Sequence, residues 1–212
     1  MSVPASSALF IALEVENSAA RNLLGLQSGV SDAHWVPRAA LHVTMRYLRV
    51  IERQDELIER LNSVTRATFK MKVAGVGHFD LLDGAVALWA GVKPVRAMCD
   101  LHEALDNIAL DMGSQRPSRP WKPHISVGFR ARPHASVTTW KQQHKTLDLP
   151  SENVTGFGLF SSRKLPETGG YERIAWFPLS LEARNDVPEL HLSKEGTLQS
   201  DVEPVKQAGD TS

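Results

Sequence analysis

The chain has 212 residues, 42% of them hydrophobic, and its 24 basic and 24 acidic side chains leave a formal net charge of zero. That apolar content suffices for a buried core, and neutrality excludes a protein that coats nucleic acid through a bulk basic excess, so any nucleic-acid partner must be gripped locally. A single cysteine, Cys99, excludes an internal disulfide and a thiolate metal site and points to a reducing compartment; it is expected as a small buried residue on a helix beside Met98.

The opening stretch MSVPASSALFIALEVEN has a short apolar centre, no basic leader and Glu14 close behind, so it reads as a strand over 8–13 and not as a signal peptide. A helix is expected over 18–26, a strand over 41–48, a helix over 52–65, and strands over 69–76 and 86–92. The helix over 94–111 carries Val95, Met98, Cys99, Leu101, His102, Leu105, Ile108 and Ala109 as an apolar stripe, which is core. A strand over 124–129, a helix over 134–144 and strands over 154–160 and 174–181 complete residues 1–181 as one domain. Residues 182–212 are polar, lack aromatics and read as a disordered or loosely docked tail. No apolar run is long enough to cross a bilayer, so a cytoplasmic protein with no membrane partner is expected.

Two strands carry the same text. In LHVTMRYL the period of two sets His42, Thr44 and Arg46 on one face, with Val43, Met45 and Tyr47 on the other. In PHISVGFR it groups His124, Ser126 and Arg130, turns Ile125, Val127 and Phe129 inward, and leaves Gly128 open to a ligand or a neighbouring backbone. A histidine followed two residues on by a hydroxyl is a weak signal by itself, since His134, His144 and His191 satisfy it too. Strand context separates them: His144 has charged neighbours, His191 lies in the tail, and His134 begins a helix with Ser136 in its first turn.

Two imidazoles near pH 7 suit acid–base chemistry at a phosphate. One takes a proton from water while the other donates to a leaving oxygen, and the hydroxyls hydrogen-bond the phosphoryl oxygens. No metal or cofactor is required for this.

The paired motifs resemble the two-histidine phosphoesterase superfamily, in its bacterial RNA 2′,3′-cyclic phosphodiesterase branch, formerly described as 2′-5′ RNA ligases. The resemblance runs from about residue 8 to 181 through LFIAL, WVPRAALHVTMRYL, GVGHF, LWAGV, RPWKPHISV and GLFSSRKLPETGGYERIAWFPL, in the family's order. It implies an α+β, bilobal fold: two pseudo-symmetric lobes of antiparallel sheet with outer helices around a central cleft, each lobe supplying one motif. The implied reaction converts the cyclic phosphate of an RNA 3′ end or short oligonucleotide to a 2′-phosphomonoester. His42 would be the proton donor, His124 the base, and Thr44 and Ser126 the phosphate clamps; residues alone leave open which histidine plays which part. Arg46, Arg130 and Tyr171 would bind substrate. The chain departs from the family's pattern at Phe129, where arginine is usual, with Arg130 one place later; at Arg49, where glycine is frequent; and at Ser126, where threonine is commoner.

Between Met112 and Leu147 no acidic residue occurs, while Arg116, Arg119, Lys122, Arg130, Arg132, Lys141 and Lys145 do, a segment able to hold an RNA backbone near the second motif. Trp121 and Tyr171 are aromatic enough to stack on a base, although an aromatic beside a strand is more often packing. Other readings are a non-catalytic RNA-end binder, an enzyme on 2′-5′ linked oligonucleotides or a cyclic nucleotide-sugar phosphate, and a metal hydrolase built from His34, His42, His78 and His124. No obligate protein partner is evident.

Overall fold

A computed structural model describes residues 8–49, 51–81, 84–130 and 135–180. The expected tail over 182–212 lies outside the described residues, as do Arg132 and His134. Nine strands form one antiparallel sheet: β1 (Leu9–Glu14), β2 (His34–Trp35), β3 (His42–Arg49), β4 (Phe69–Asp80), β5 (Val86–Lys93), β6 (His124–Arg130), β7 (Glu152–Val154), β8 (Gly156–Lys164) and β9 (Tyr171–Pro178). Among the described residues four α-helices accompany them, α1 (Asn17–Leu24), α2 (Gln54–Asn62), α3 (Arg96–Asp111) and α4 (Ala135–Gln143), with one 3-10 turn at Arg38–Ala40.

The strand order is β7-β4-β5-β6-β3-β1-β8-β9, with β2 added on β6. It divides into two four-stranded halves of matching layout, β3-β1-β8-β9 and β6-β5-β4-β7, which meet where Val43 of β3 pairs with Ile125 of β6. This is the α+β, two-lobed architecture that the family resemblance implies, with the lobes sharing a single sheet.

One face of the sheet packs on the helices. Leu9, Ile11 and Leu13 of β1 and Val43 and Met45 of β3 join Leu23 of α1, Leu57 and Leu61 of α2 and Leu101 and Leu105 of α3 in one core. Apolar side chains at helical spacing on α3 supply that face, as the stripe predicts, but Cys99 lies off it and is exposed, correcting its expected burial. On the other face Phe10 and Ala12 of β1 and Phe160 of β8 form a second small cluster. Glycines let cross-strand aromatics lie flat on the sheet: a Cβ at Gly77 would come within 2.2 Å of Trp89, and one at Gly128 within 2.6 Å of Trp35. Gly128 is therefore covered by Trp35 and not open to a ligand.

Helix α1 lacks a local side-chain cap. Glu152 of β7, buried at 6% exposure, supplies one from far along the chain: its carboxylate accepts the Ala19 amide at 3.0 Å and the Ser18 hydroxyl at 3.1 Å.

Candidate active site

Each motif strand contains a β-bulge, and the bulge decides which side chains reach the cleft. Along β3, Glu14 pairs with His42 and Ala12 with Thr44, but Ile11 pairs with Arg46, so Met45 is the extra residue. Along β6, Trp89 pairs with Ser126 but Leu88 with Gly128, so Val127 is the extra residue. An inserted residue reverses the alternation beyond it. Cross-strand partners share a face, so Arg46 falls beside core Ile11, and Arg130 beside core Val86. Tyr47 and Phe129 turn the other way and stand 51% and 40% exposed. The expectation that Arg46 and Arg130 share a face with their histidines, and that Tyr47 and Phe129 turn inward, is corrected in both strands for the same reason.

The bulged backbone groups find other partners. His102 Nδ1 donates to the Met45 carbonyl at 3.0 Å and Trp121 Nε1 to the Thr44 carbonyl at 3.0 Å. The Val127 carbonyl accepts the Val36 amide at 3.0 Å and Gln27 Nε2 at 3.2 Å. Trp121 stacks on His102 with ring centroids 4.1 Å apart, so its flat face is occupied by packing.

Arg46 is 4% exposed; its Nη2 donates to the Gln115 carbonyl at 2.7 Å, and its Nε lies 2.8 Å from Asp106, an ionic approach off the hydrogen-bond axis. It braces β3 against α3. Arg130 is likewise largely buried, 3.9 Å from the carboxylate of Asp32. Arg116, of the basic segment, is 3.4 Å from Asp106.

The histidines are held alike. His42 Nδ1 lies 2.8 Å from the Ala40 carbonyl, and His124 Nδ1 lies 2.7 Å from the Lys122 carbonyl. A carbonyl only accepts, so each Nδ1 carries a hydrogen and each neutral ring keeps its lone pair on Nε2. At His42 the Thr44 hydroxyl donates to that lone pair at 3.0 Å. The antiparallel pairing of Val43 with Ile125 brings His42 across from Ser126 and Thr44 across from His124, so the two motifs face one cleft.

Aromatic rings wall each imidazole. Phe10 and Tyr171 pack against His42 at 5.0 and 5.5 Å, the latter edge-on; Phe79 and Trp89 pack against His124 at 4.9 and 6.4 Å. Burial holds His42 below its ordinary pKa against the opposing pull of the Ala40 carbonyl, and the nearby His124 lowers it further. Burial also lowers His124, again against its carbonyl partner, with the Lys122 ammonium adding to the effect. Burial raises the Tyr171 hydroxyl. A pocket of about 360 Å³ borders His42 and is lined by Phe10, Leu165, Tyr171, Glu14 and Arg173. A second, of about 370 Å³, borders His124 and is lined by Thr44, Tyr47, Phe79, Trp121 and Lys122.

The structure thus brings His42, Thr44, His124 and Ser126 to one cleft, with Tyr171 at its rim; it sets Arg130 outside it and leaves Arg46 at the buried wall of the His124 pocket, engaged with Asp106 and Gln115. Tyr47, Phe79 and Trp89, which face the cleft, escape sequence reasoning because their orientation depends on the bulges and on cross-strand partners. Among the described residues no three His, Cys, Asp or Glu side chains gather as a metal-ligating group, so His34, His42, His78 and His124 do not assemble one. No helix among them is long and apolar enough to cross a membrane.

Two half-sheets that each deliver one histidine–hydroxyl strand to a common cleft define a two-histidine phosphoesterase fold. The chain belongs to the 2′-5′ RNA ligase superfamily, whose family model matches residues 15–163. An RNA 2′,3′-cyclic phosphodiesterase of Geobacillus stearothermophilus is 27% identical over 153 residues, covering 68% of this chain and 47% of that protein; the chain spans about half the length of this curated relative. E. coli LigT, crystallised with 3′-AMP, superposes with a TM-score of 0.68 at 20% identity, covering 82% of this chain and 98% of that one. The protein TT0787 of Thermus thermophilus does so with a TM-score of 0.66 at 19% identity, covering 81% and 97%. At those identities the likeness is one of fold.

Proposed function

We propose that the protein hydrolyses the terminal 2′,3′-cyclic phosphate of RNA to a 2′-phosphomonoester by acid–base catalysis between two imidazoles. The observation that carries this reading is the matched pair of rings, each with Nδ1–H tied to its own main chain and Nε2 left for chemistry. His124 Nε2 takes a proton from water as the water oxygen bonds to phosphorus. The bond from phosphorus to the 3′ oxygen breaks, and protonated His42 delivers its Nε2 proton to that oxygen. Thr44 and Ser126 hydroxyls donate to the phosphoryl oxygens as charge builds.

The surroundings support this division of roles. Burial lowers both rings, and the Lys122 ammonium further disfavours a charged His124, which supports His124 as the neutral ring that takes the proton from water. Both proton transfers are covered by side chains, which supports a metal-independent reaction. The name of the Geobacillus relative supports the substrate class. A second reading, hydrolysis of 2′-5′ linked oligonucleotides, is favoured by the separate pockets beside the two histidines, which suit nucleosides on both sides of a phosphate.

The test is a short RNA ending in a 2′,3′-cyclic phosphate, incubated with the protein and excess chelator, with 2′- and 3′-phosphate products resolved. A 2′-phosphate product that disappears in His42→Ala and His124→Ala is expected. No hydrolysis by folded protein, or dependence on an added metal, would count against the reading.

A further inference from the structure

The bulge at Val127 removes the cation that strand alternation places beside His124. Arg130 turns into the core side and Phe129 takes the exposed position. Of the other basic residues around the cleft, Arg46 and Arg116 are matched with Asp106 and Arg173 with Glu14 at 2.9 Å, while Arg119, which lines the His124 pocket, makes no ion pair or ring contact among the described residues. Lys122 differs. Exposed and two residues ahead of His124, it has no carboxylate partner among the described residues. Its Nζ lies 4.4 Å from the Trp89 ring centroid and 5.7 Å from that of Phe79, the same two rings that wall His124. A cation seated on an aromatic face is fixed from one side and keeps N–H donors on the other. Pro123 holds the backbone of Lys122 extended, so the carbonyl that orients His124 and the ammonium beside it are set together.

We propose that Lys122 is a substrate-binding residue whose ammonium grips the non-bridging oxygens of a nucleoside phosphate at His124, replacing the strand arginine that the bulge turns away. The ligand class follows from the geometry around Lys122; its part in turnover rests on the cyclic phosphodiesterase reading. The lysine charge has a second effect in that reaction, since it helps keep His124 in the neutral form that accepts a proton.

The experiment is calorimetric titration of the full chain with 2′-AMP in wild type, Lys122→Met and Lys122→Arg, with hydrolysis of the cyclic-phosphate RNA followed in parallel across pH. Methionine keeps the apolar stem on Trp89 and removes the charge, and the exposed position leaves folding intact. Lys122→Met is expected to weaken 2′-AMP binding by about 10- to 100-fold, and Lys122→Arg to restore most of it. In turnover, Lys122→Met raises KM and moves the acidic limb of kcat/KM to higher pH, because removing a neighbouring positive charge raises the pKa of His124. Unchanged 2′-AMP affinity in Lys122→Met, or no nucleotide binding by wild type, overturns the proposal. A binding loss in Lys122→Met without any wild-type hydrolysis supports Lys122 and overturns the reaction instead.

Discussion

The half of the sheet around His42 and the half around His124 are built alike and finished differently. Both pin Nδ1 to a carbonyl two residues back, both carry a bulge just past the motif hydroxyl, and both wall the imidazole with two aromatic rings. Around His42, the hydroxyl of its own motif reaches Nε2, and the nearby Arg173 is taken up by Glu14. Around His124, Ser126 makes no such bond and an ammonium without a carboxylate among the described residues stands close by. The shared parts set the tautomer, and the unshared parts give the two rings different polar neighbours. A repeated motif therefore delivers two equivalent groups, and its surroundings make them unequal.

That comparison breaks first if either ring proves dispensable. His42→Ala and His124→Ala should each lower kcat/KM by about 10²- to 10⁴-fold with an unchanged circular dichroism spectrum, and the double variant should be little worse than either single one. Near-normal turnover in one single variant would mean that the halves are not partners. Arg46→Ala should show its effect in stability, leaving the partly buried Asp106 carboxylate with only the exposed Arg116 at a cost of about 1–2 kcal/mol in urea unfolding. A change confined to KM would instead return Arg46 to the substrate.

The hydroxyls sharpen the comparison. Thr44→Val should cost roughly tenfold in kcat/KM and Ser126→Ala less, since only Thr44 also holds an imidazole. Equal losses would say that both act on the phosphate alone. A smaller effect lies at the end of β3, where Arg49 has φ of 54°, the left-handed conformation that glycine adopts without penalty. Arg49→Gly should stabilise the fold by about 1 kcal/mol in the same unfolding assay.

The smallest expected effect is on stability against pH. His42, His102 and His124 all lie below the ordinary histidine value of 6.5, each chiefly through burial. Just below pH 6.5 the unfolded chain takes up protons that the folded chain does not. Stability is thus complete above about 6.5 and declines as pH falls through the window beneath it. A flat denaturation midpoint between pH 7 and 6 would show that burial of these rings is looser than described.

The two motifs, their strands and the apolar face of α3 are readable in sequence because period two and helical spacing leave marks within a few residues. What is hidden depends on partners far along the chain. Nothing local in MRYL or VGFR announces a bulge, so Arg46, Tyr47, Phe129 and Arg130 are each placed on the wrong face by simple alternation. Cys99 looks like core because its neighbours do, yet it falls just outside the buried arc. The short strand at His34–Trp35 exists only because Gly128 leaves room for Trp35, and Glu152 reads as an ordinary acidic residue until α1 arrives beside it.

The strand order also dictates a sequence of assembly. The half that carries His124 draws on chain that runs nearly unbroken from β4 to β7, so it can close as soon as that stretch leaves the ribosome. The half that carries His42 cannot: β1, made before the other strands of the sheet, waits for β8 and β9, the last of them, to take its open edge. During synthesis the earlier histidine is therefore completed later, and a nascent chain stopped before Gly156 would carry an unfinished edge along Leu9–Ala12 to trap a chaperone or another chain.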